Sequence, residues 1–361
     1  MQTRAMQVQQ PGGRVEAAAV LLPLLEPGWV RVEVVAAGVC GADLGTVATA
    51  DPAVLPVTPG HEVAGRIAAL GEGVRGWQVG DRVAVGWFGG SCGTCELCRR
   101  GDVVHCAQRK VPGMNYPGGW AESITVPADA LARIPDGLDF AEAAPLGCAG
   151  VTTFNAVRGA GVRAGGRVAI FGIGGLGHLA VQFAAAMGYE VVAMARGSER
   201  AEAAANLGAD HYFDLESVPA AEALSARGGV DLIISTIPAP PPLKDLMRGL
   251  RPRGQVVLLG VDSSKLEFSV APLVMNALSI TGHLTGSPAQ IEETMRFAVV
   301  NGVRPWIERL PLTDAQSAVE RVRAGEARFR MVLDAAGRPG EEDTLAEKAN
   351  TPLSGDERTA C

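Results

Sequence analysis

From Arg167 to Gly188 the chain reads RVAIFGIGGLGHLAVQFAAAMG, and no other run restricts the fold as much. Val168 to Phe171 is a short apolar stretch of the kind buried as a parallel strand. Gly172-Ile173-Gly174-Gly175-Leu176-Gly177 follows, and Leu179, Val181, Phe183, Ala184 and Met187 then recur at roughly helical spacing. Strand, glycine turn and helix, in that order, are the setting of a dinucleotide fingerprint. Gly172 makes the tight turn. Gly174 lets the backbone approach a pyrophosphate, and Gly177 lets the helix pack closely on the strand. The pyrophosphate would then rest on free N–H groups at the positive helix end.

The second strand, Glu190 to Met194, leads into the position that discriminates between cofactors. A carboxylate at its end would hold the ribose 2′-hydroxyl of NAD. The chain continues instead Ala195-Arg196-Gly197-Ser198-Glu199-Arg200. Two guanidiniums and no strand-end carboxylate favour a 2′-phosphate, hence NADP(H) over NAD(H). Arg200 opening a solvated helix face is the other reading. The alternation goes on with strands at Val230–Ser235 and Gln255–Gly260 and helices at Ala220–Arg227 and Leu243–Leu250. Thr236, Gly260 and Val261, at the ends of these strands, join the candidate cofactor contacts. Residues 150–275 thus read as a doubly wound parallel-sheet α/β domain. Residues 1–149, with Gly, Pro and short Val-rich runs such as Trp29–Ala36 and Arg82–Val85, read as β-rich. Residues 276–334 are expected to return to that first domain, and 335–361, lacking an apolar period, to form a mobile tail.

Seven cysteines in a long chain form a poor disulfide framework. Four of them make a tight array, Cys92-x2-Cys95-x2-Cys98-x7-Cys106. Disulfides at that spacing are strained, whereas four thiolates can close on one tetrahedral zinc as a structural site. Gly90, Gly93 and Gly101 supply the backbone freedom of such a knuckle. Buried free thiols and an iron–sulfur cluster are the other readings. Cys361, in the polar tail, is expected as an exposed thiol. Cys40, His61 and Cys148 remain. Two cysteines and a histidine are the donor types of an open catalytic zinc site, although each alone is as readily a core residue.

Composition excludes several classes of partner. The formal charge is -7, no basic run occurs and aromatics are 5%, which argues against nucleic acid or an anionic membrane surface. No apolar stretch reaches the roughly 18 residues of a membrane span. Ala17–Leu25 makes an unconvincing secretory signal, preceded by Glu16 and broken by Pro23. A cytoplasmic protein acting on a small molecule is the expectation.

Taken together, the sequence resembles the zinc-containing medium-chain alcohol dehydrogenases over about residues 15–334, and within them the NADP-dependent cinnamyl-alcohol-dehydrogenase-like subgroup. The matching segments are Gly38-Val39-Cys40-Gly41-Ala42-Asp43, Pro59-Gly60-His61-Glu62, the Cys92–Cys106 array, Gly118-Gly119-Trp120-Ala121-Glu122, Cys148-Ala149-Gly150-Val151-Thr152-Thr153, the glycine fingerprint, and Phe329-Arg330-Met331-Val332-Leu333-Asp334. The resemblance implies a GroES-like catalytic domain beside a Rossmann domain, two zinc ions per chain and a homodimer or homotetramer. It assigns Cys40, His61 and Cys148 to the catalytic zinc, with Glu62 approaching the metal during ligand exchange. It gives Asp43 the orientation of His61, and places Thr152 near the nicotinamide. Trp87, Phe88, Tyr116 and Leu284 are expected as walls of a substrate pocket between the domains.

One departure bears on the reaction. Relatives usually carry Ser or Thr two residues after the first zinc cysteine and often His three positions later, and these groups relay the alcohol proton. Here the positions are Ala42 and Gly45, which carry no proton; Thr46 is adjacent. The primary expectation is a reversible alcohol/aldehyde oxidoreductase that reduces an aldehyde or ketone. The alternative is a reductase of iminium or conjugated C=C bonds, because the usual relay is missing; hydride addition to an iminium gives a neutral amine directly and leaves no alkoxide to protonate. A third reading, of another class, is a silent cofactor-binding structural protein.

Overall fold

The structure is a computed structural model and describes residues 2–261 and 263–335. The expected mobile tail, apart from Ala335, and Cys361 with it lie outside the described residues. The chain opens with an antiparallel hairpin, β1 (Gln2–Val8) and β2 (Val15–Leu21). It continues through β3 (Trp29–Val39), β4 (Val63–Leu70), β5 (Arg82–Val85), β6 (Ser123–Pro127) and β7 (Leu131–Arg133). In β3, Val30, Val32 and Val34 are buried while Glu33 is exposed, the alternation of a strand with one face on a core.

The opposite face of this sheet carries small residues in register. Ala36 stands across from Ala64, Ala64 from Ala84, and Ala84 from Ala132, so four strands present a row of alanines. All four are buried. They leave a flat seat for the helix Phe140–Pro145, whose Ala141, Ala143 and Ala144 share their apolar cluster. Small side chains on both sides let helix and sheet approach closely. The helix starts at a capping box, with Asp139 accepting from the Glu142 amide at 2.6 Å.

The next unit is a six-stranded sheet, all parallel. It contains β8 (Arg167–Phe171), β9 (Glu190–Ala195), β10 (His211–Asp214), β11 (Val230–Ser235), β12 (Leu250–Leu258) and β13 (Ser279–Gly282). Their spatial order is β10-β9-β8-β11-β12-β13, so the winding reverses between β8 and β11. Such a reversal opens a crevice at the carboxyl ends of the strands, where ligands bind in open α/β sheets. The sheet runs past residue 275, where the sequence pattern ended this unit. The added strand, Ser-Ile-Thr-Gly at an exposed edge, has too little apolar character to show a period.

The chain then rejoins the first sheet. β15 (Arg330–Asp334) pairs antiparallel with β3, and β14 (Ile307–Pro311) pairs parallel with β15, giving the order β14-β15-β3-β4-β5-β7 with β6 also on β3. Phe154, Phe183 and Phe297 join three helices between the sheets, with ring centroids 5.1–6.0 Å apart. Among the described residues no helix is long and apolar enough to cross a membrane.

The alanine row makes a test of packing. Ala84→Leu forces extra volume under the helix Phe140–Pro145. A loss of about 1–3 kcal/mol is expected from the urea unfolding midpoint, with Ala84→Gly costing much less.

Candidate active site

The turn after β3 places the first donors. Asp43 begins the short helix Asp43–Val47 and is buried. One carboxylate oxygen accepts the Cys40 backbone N–H at 2.9 Å, and the other lies 2.8 Å from His61 Nδ1. A single side chain thus fixes both the Cys40 backbone and the His61 ring. Nδ1 is the nitrogen bonded to Asp43, so Nε2 is left facing Cys148 Sγ at 3.4 Å. Donor atoms of Cys40, His61, Glu62 and Cys148 all lie within 4.8 Å of one another. Tetrahedral zinc with sulfur at about 2.3 Å and nitrogen at about 2.0–2.1 Å sets a sulfur–nitrogen edge near 3.6 Å, so the residues fit that ion. The Cys148 hydrogen bond holds the Cys40 thiol well below its ordinary range, against burial and with help from His61 and Arg330.

Cys148 comes to this point through an irregular helix. After Pro145 the backbone takes one π turn, Leu146–Gly150, before the helix Val151–Gly159 resumes. Proline offers no N–H to the preceding turn, and π turns recur where a helix carries a functional side chain. Gly86 makes room for it: a Cβ there would stand 2.1 Å from the Gly147 carbonyl oxygen. Thr152 Oγ donates to the Cys148 carbonyl at 2.7 Å, which steadies the turn.

His61 depends on glycines and a tryptophan. Gly60 has φ of +105°, and a Cβ on it would meet Trp120 Cδ1 at 2.4 Å. Trp120 is fully buried and donates through Nε1 to the Gly38 carbonyl at 3.1 Å. The Gly118-Gly119-Trp120 segment is therefore the wall on which the Gly60-His61 turn rests. Glu62, next along, is fully buried and accepts two bonds from Arg330 of β15 at 2.5 and 2.6 Å. Burial pushes the Glu62 carboxyl up, and the Arg330 guanidinium pulls it back. Gly38 packs against this carboxylate, since a Cβ there would stand 2.0 Å from Glu62 Oε2.

The four clustered cysteines converge as well. Sulfur–sulfur distances are 3.5 Å for Cys95–Cys98, 3.6 Å for Cys92–Cys106, 3.8 Å for Cys95–Cys106 and 3.9 Å for Cys92–Cys98. A tetrahedron of sulfurs about 2.3 Å from zinc has edges of about 3.8 Å, so the set is sized for that ion. The Thr94 and Cys95 backbone N–H groups lower the Cys92 thiol to about 6, favouring a thiolate. Gly93 and Gly101 have φ of +68° and +85°, as expected of a knuckle. Ser91 N–H and Oγ both bond Asp129, anchoring its start.

The glycine turn after β8 has the three environments a dinucleotide needs. A Cβ on Gly177 would stand 1.9 Å from the Gly172 carbonyl oxygen, so only glycine lets the helix pack there. Nothing lies within 4 Å of a Cβ on Gly174, the open face of the turn. Gly172 has φ of +97°, and Thr236 Oγ donates to its carbonyl at 2.8 Å. Gly175 and Leu176 follow β8, Ala195 ends β9, and Gly260 and Val261 follow β12, all at the carboxyl ends of parallel strands. Arg196, Ser198 and Glu199 are exposed beyond β9, and Arg200 is bonded to Glu199 at 2.9 Å. The acidic residue thus folds onto the second guanidinium. Arg330 Nε is buried without a protein partner, and its Nη1 lies 2.7 Å from where a Gly175 Cβ would be. This cradle fits a dinucleotide.

Of the four expected pocket walls, Phe88 is fully buried, and Arg109 lies over the ring of Trp87. Tyr116 donates to the Gly89 carbonyl at 2.9 Å and packs edge-on against Trp29. Leu284 is half-buried beyond β13. Ala42 and Gly45 are exposed on the turn beside Asp43, and Thr46 is half-buried. Sequence reasoning assigned no role to Arg330 or His178. The one sequence signal for Arg330 is an arginine opening an otherwise apolar run, Met331-Val332-Leu333.

Comparison with known proteins gives concordant findings. Residues 26–136 match the family model of the alcohol dehydrogenase GroES-like domain, and residues 175–299 that of the zinc-binding dehydrogenases. An Aspergillus alcohol dehydrogenase, notN, is 38% identical over 88% of this chain and 93% of its own length. A Sorghum bicolor cinnamyl alcohol dehydrogenase structure superposes with a TM-score of 0.86 at 31% identity, covering 95% of this chain and 100% of that one. A cinnamyl alcohol dehydrogenase from Helicobacter pylori, complexed with NADP(H), has a TM-score of 0.84 at 27% identity, covering 94% and 99%.

The Glu62–Arg330 pair is testable without activity. Arg330→Met leaves a buried carboxylate unpaired, and a loss of about 3–5 kcal/mol in unfolding free energy is expected. Adding Glu62→Gln should recover most of it, and equal midpoints for single and double variants would contradict the pairing.

Proposed function

The chain belongs to the zinc-containing medium-chain alcohol dehydrogenases, and we propose that it moves a hydride between NADP(H) and an alcohol and its aldehyde or ketone. Reduction of the carbonyl is the favoured direction. The observation that carries this reading is the convergence of Cys40, His61 and Cys148 with Glu62, whose partner Arg330 borders Gly175 of the glycine turn. In this reading those three hold a catalytic zinc, with Glu62 as an exchanging neighbour, and Cys92, Cys95, Cys98 and Cys106 hold a structural one. Zinc supplies Lewis acidity toward the carbonyl oxygen, and the dinucleotide supplies the hydride. Asp43 keeps His61 in the tautomer that presents Nε2. Thr152 borders the nicotinamide, and Gly172, Gly174, Gly175, Leu176 and Gly177 receive the pyrophosphate. The last residue of β9, Ala195, bears no carboxylate, and Arg196, Ser198 and Arg200 after it support NADP(H), with Glu199 turned onto Arg200 and Asp214 taken up by the Gly197 N–H. The NADP(H) complex of the Helicobacter relative supports the same choice. Residues 1–149 and 276–334 form the catalytic unit in this reading, apart from β13. A homodimer through the β13 edge is part of it too, supported by exposed Val270, Val274 and Met275 just before that strand.

Ala42 and Gly45 support a second reading. Reducing a carbonyl leaves an oxygen that needs a proton, and neither exposed position offers a hydroxyl or an imidazole. Reducing an iminium yields a neutral amine and needs none. In the primary reading the proton comes from water or Thr46.

NADPH and NADH consumption with cinnamaldehyde and with a cyclic iminium separates these readings. The expected result is aldehyde turnover with NADPH preferred; under the second reading Ala42→Ser should raise carbonyl turnover at least tenfold, a proton donor being worth about 10²–10⁴ at most, and barely change iminium turnover. Iminium turnover with an inert aldehyde would establish the second reading, and NADH preference would overturn the cofactor assignment. Metal analysis should find two zinc ions per chain and one in Cys148→Ser; one in both would show that the Cys40–His61–Cys148 set holds none.

A further inference from the structure

His178 follows the last glycine of the fingerprint, within the helix Gly177–Ala186, and is fully buried. Its ring nitrogens have different partners. The Trp306 backbone N–H donates to Nε2 at 3.2 Å, so that nitrogen carries no proton. Nδ1 carries it and donates to the Gly174 carbonyl at 3.1 Å. The same carbonyl accepts the His178 backbone N–H at 3.0 Å. Burial, reinforced by the charge of Arg330, lowers the ring to about 3, so it stays neutral at working pH. The ring also stacks on Phe329, centroids 5.0 Å apart and planes 15° from parallel.

These contacts join two units. Gly174 belongs to the open side of the dinucleotide turn. Trp306 and Phe329 immediately precede β14 and β15, the strands that return to the first sheet. Arg330, next to Phe329, is the partner of Glu62 beside the zinc donors. A planar peptide points its C=O and the following N–H in opposite directions. Holding the Gly174 carbonyl inward therefore turns the Gly175 N–H outward. We propose that His178 is a positioning residue for the dinucleotide: it presets the Gly175 amide for the pyrophosphate and ties that turn, through Trp306, to the sheet carrying the reacting centre. This rests on the dinucleotide part of the proposed function and not on the choice of NADP over NAD.

The test compares dissociation constants for NADPH and for 2′-AMP, which lacks the pyrophosphate, in the zinc-loaded full chain. NADH and adenosine, which has no phosphate, replace them if NADH binds tighter. His178→Phe keeps the stacked ring and loses both hydrogen bonds. It should weaken the dinucleotide about tenfold, the scale of one buried hydrogen bond, and leave 2′-AMP within about twofold. His178→Asn, whose amide stands where Nδ1 stood, should recover most of the affinity. His178→Gln, which reaches only toward Trp306, should not. If His178→Phe does not fold by circular dichroism, the order of the Asn and Gln variants decides. Unchanged dinucleotide affinity, equal weakening of both ligands, or Gln binding more tightly than Asn overturns the inference. Wild-type chain that binds neither NADPH nor NADH overturns the cofactor reading and this inference with it.

Discussion

The pairing of Glu62 with Arg330 is the contact on which the arrangement of the site depends. The two residues are 268 positions apart, one beside His61 and the other opening the last described strand. Both charges lie out of water, where each is costly without the other. One Arg330 nitrogen, Nη2, bonds both Glu62 oxygens and fixes β15 against the His61 turn. Because Arg330 also borders Gly175, one guanidinium sets the spacing between the Cys40–His61–Cys148 cluster and the glycine turn after β8. The last described strand is thereby as much a part of the site as the segment around Cys40.

Around that pair the donors are held by different means. Asp43 fixes Cys40 and His61 at once through its two oxygens. Cys148 is placed from the other side, by a helix seated on a row of alanines and continued as a π turn. Its position is a consequence of side-chain volume in the sheet below it. A larger residue at Ala64 or Ala84 would press on that helix and, through it, on the segment that carries Cys148.

Local backbone requirements made much of this legible in the sequence. Gly172, Gly174 and Gly177 each answer a separate steric demand, and four cysteines within one short segment leave few alternatives. The Val-rich alternation of β3 and the apolar runs of β8 and β11 were equally plain. Other features left no local trace. β13 is a four-residue edge strand with one apolar side chain, so no period marks it. The π turn follows from Pro145 and from Gly86, which is distant in sequence. The role of Arg330 needs a partner 268 residues away, and that of His178 needs Trp306 and Phe329. Ala42 and Gly45 were visible as a departure, and the structure adds that both are exposed.

The claim that this site transfers a hydride is tested most directly by isotope. NADPH deuterated at the transferable C4 position is incubated with an aldehyde and the zinc-loaded protein, and the product is read by mass spectrometry and NMR. The account predicts one deuterium on the carbinol carbon, with product formation lost in Cys148→Ser. Alcohol formed without deuterium at that carbon, or undiminished transfer by Cys148→Ser, would contradict it.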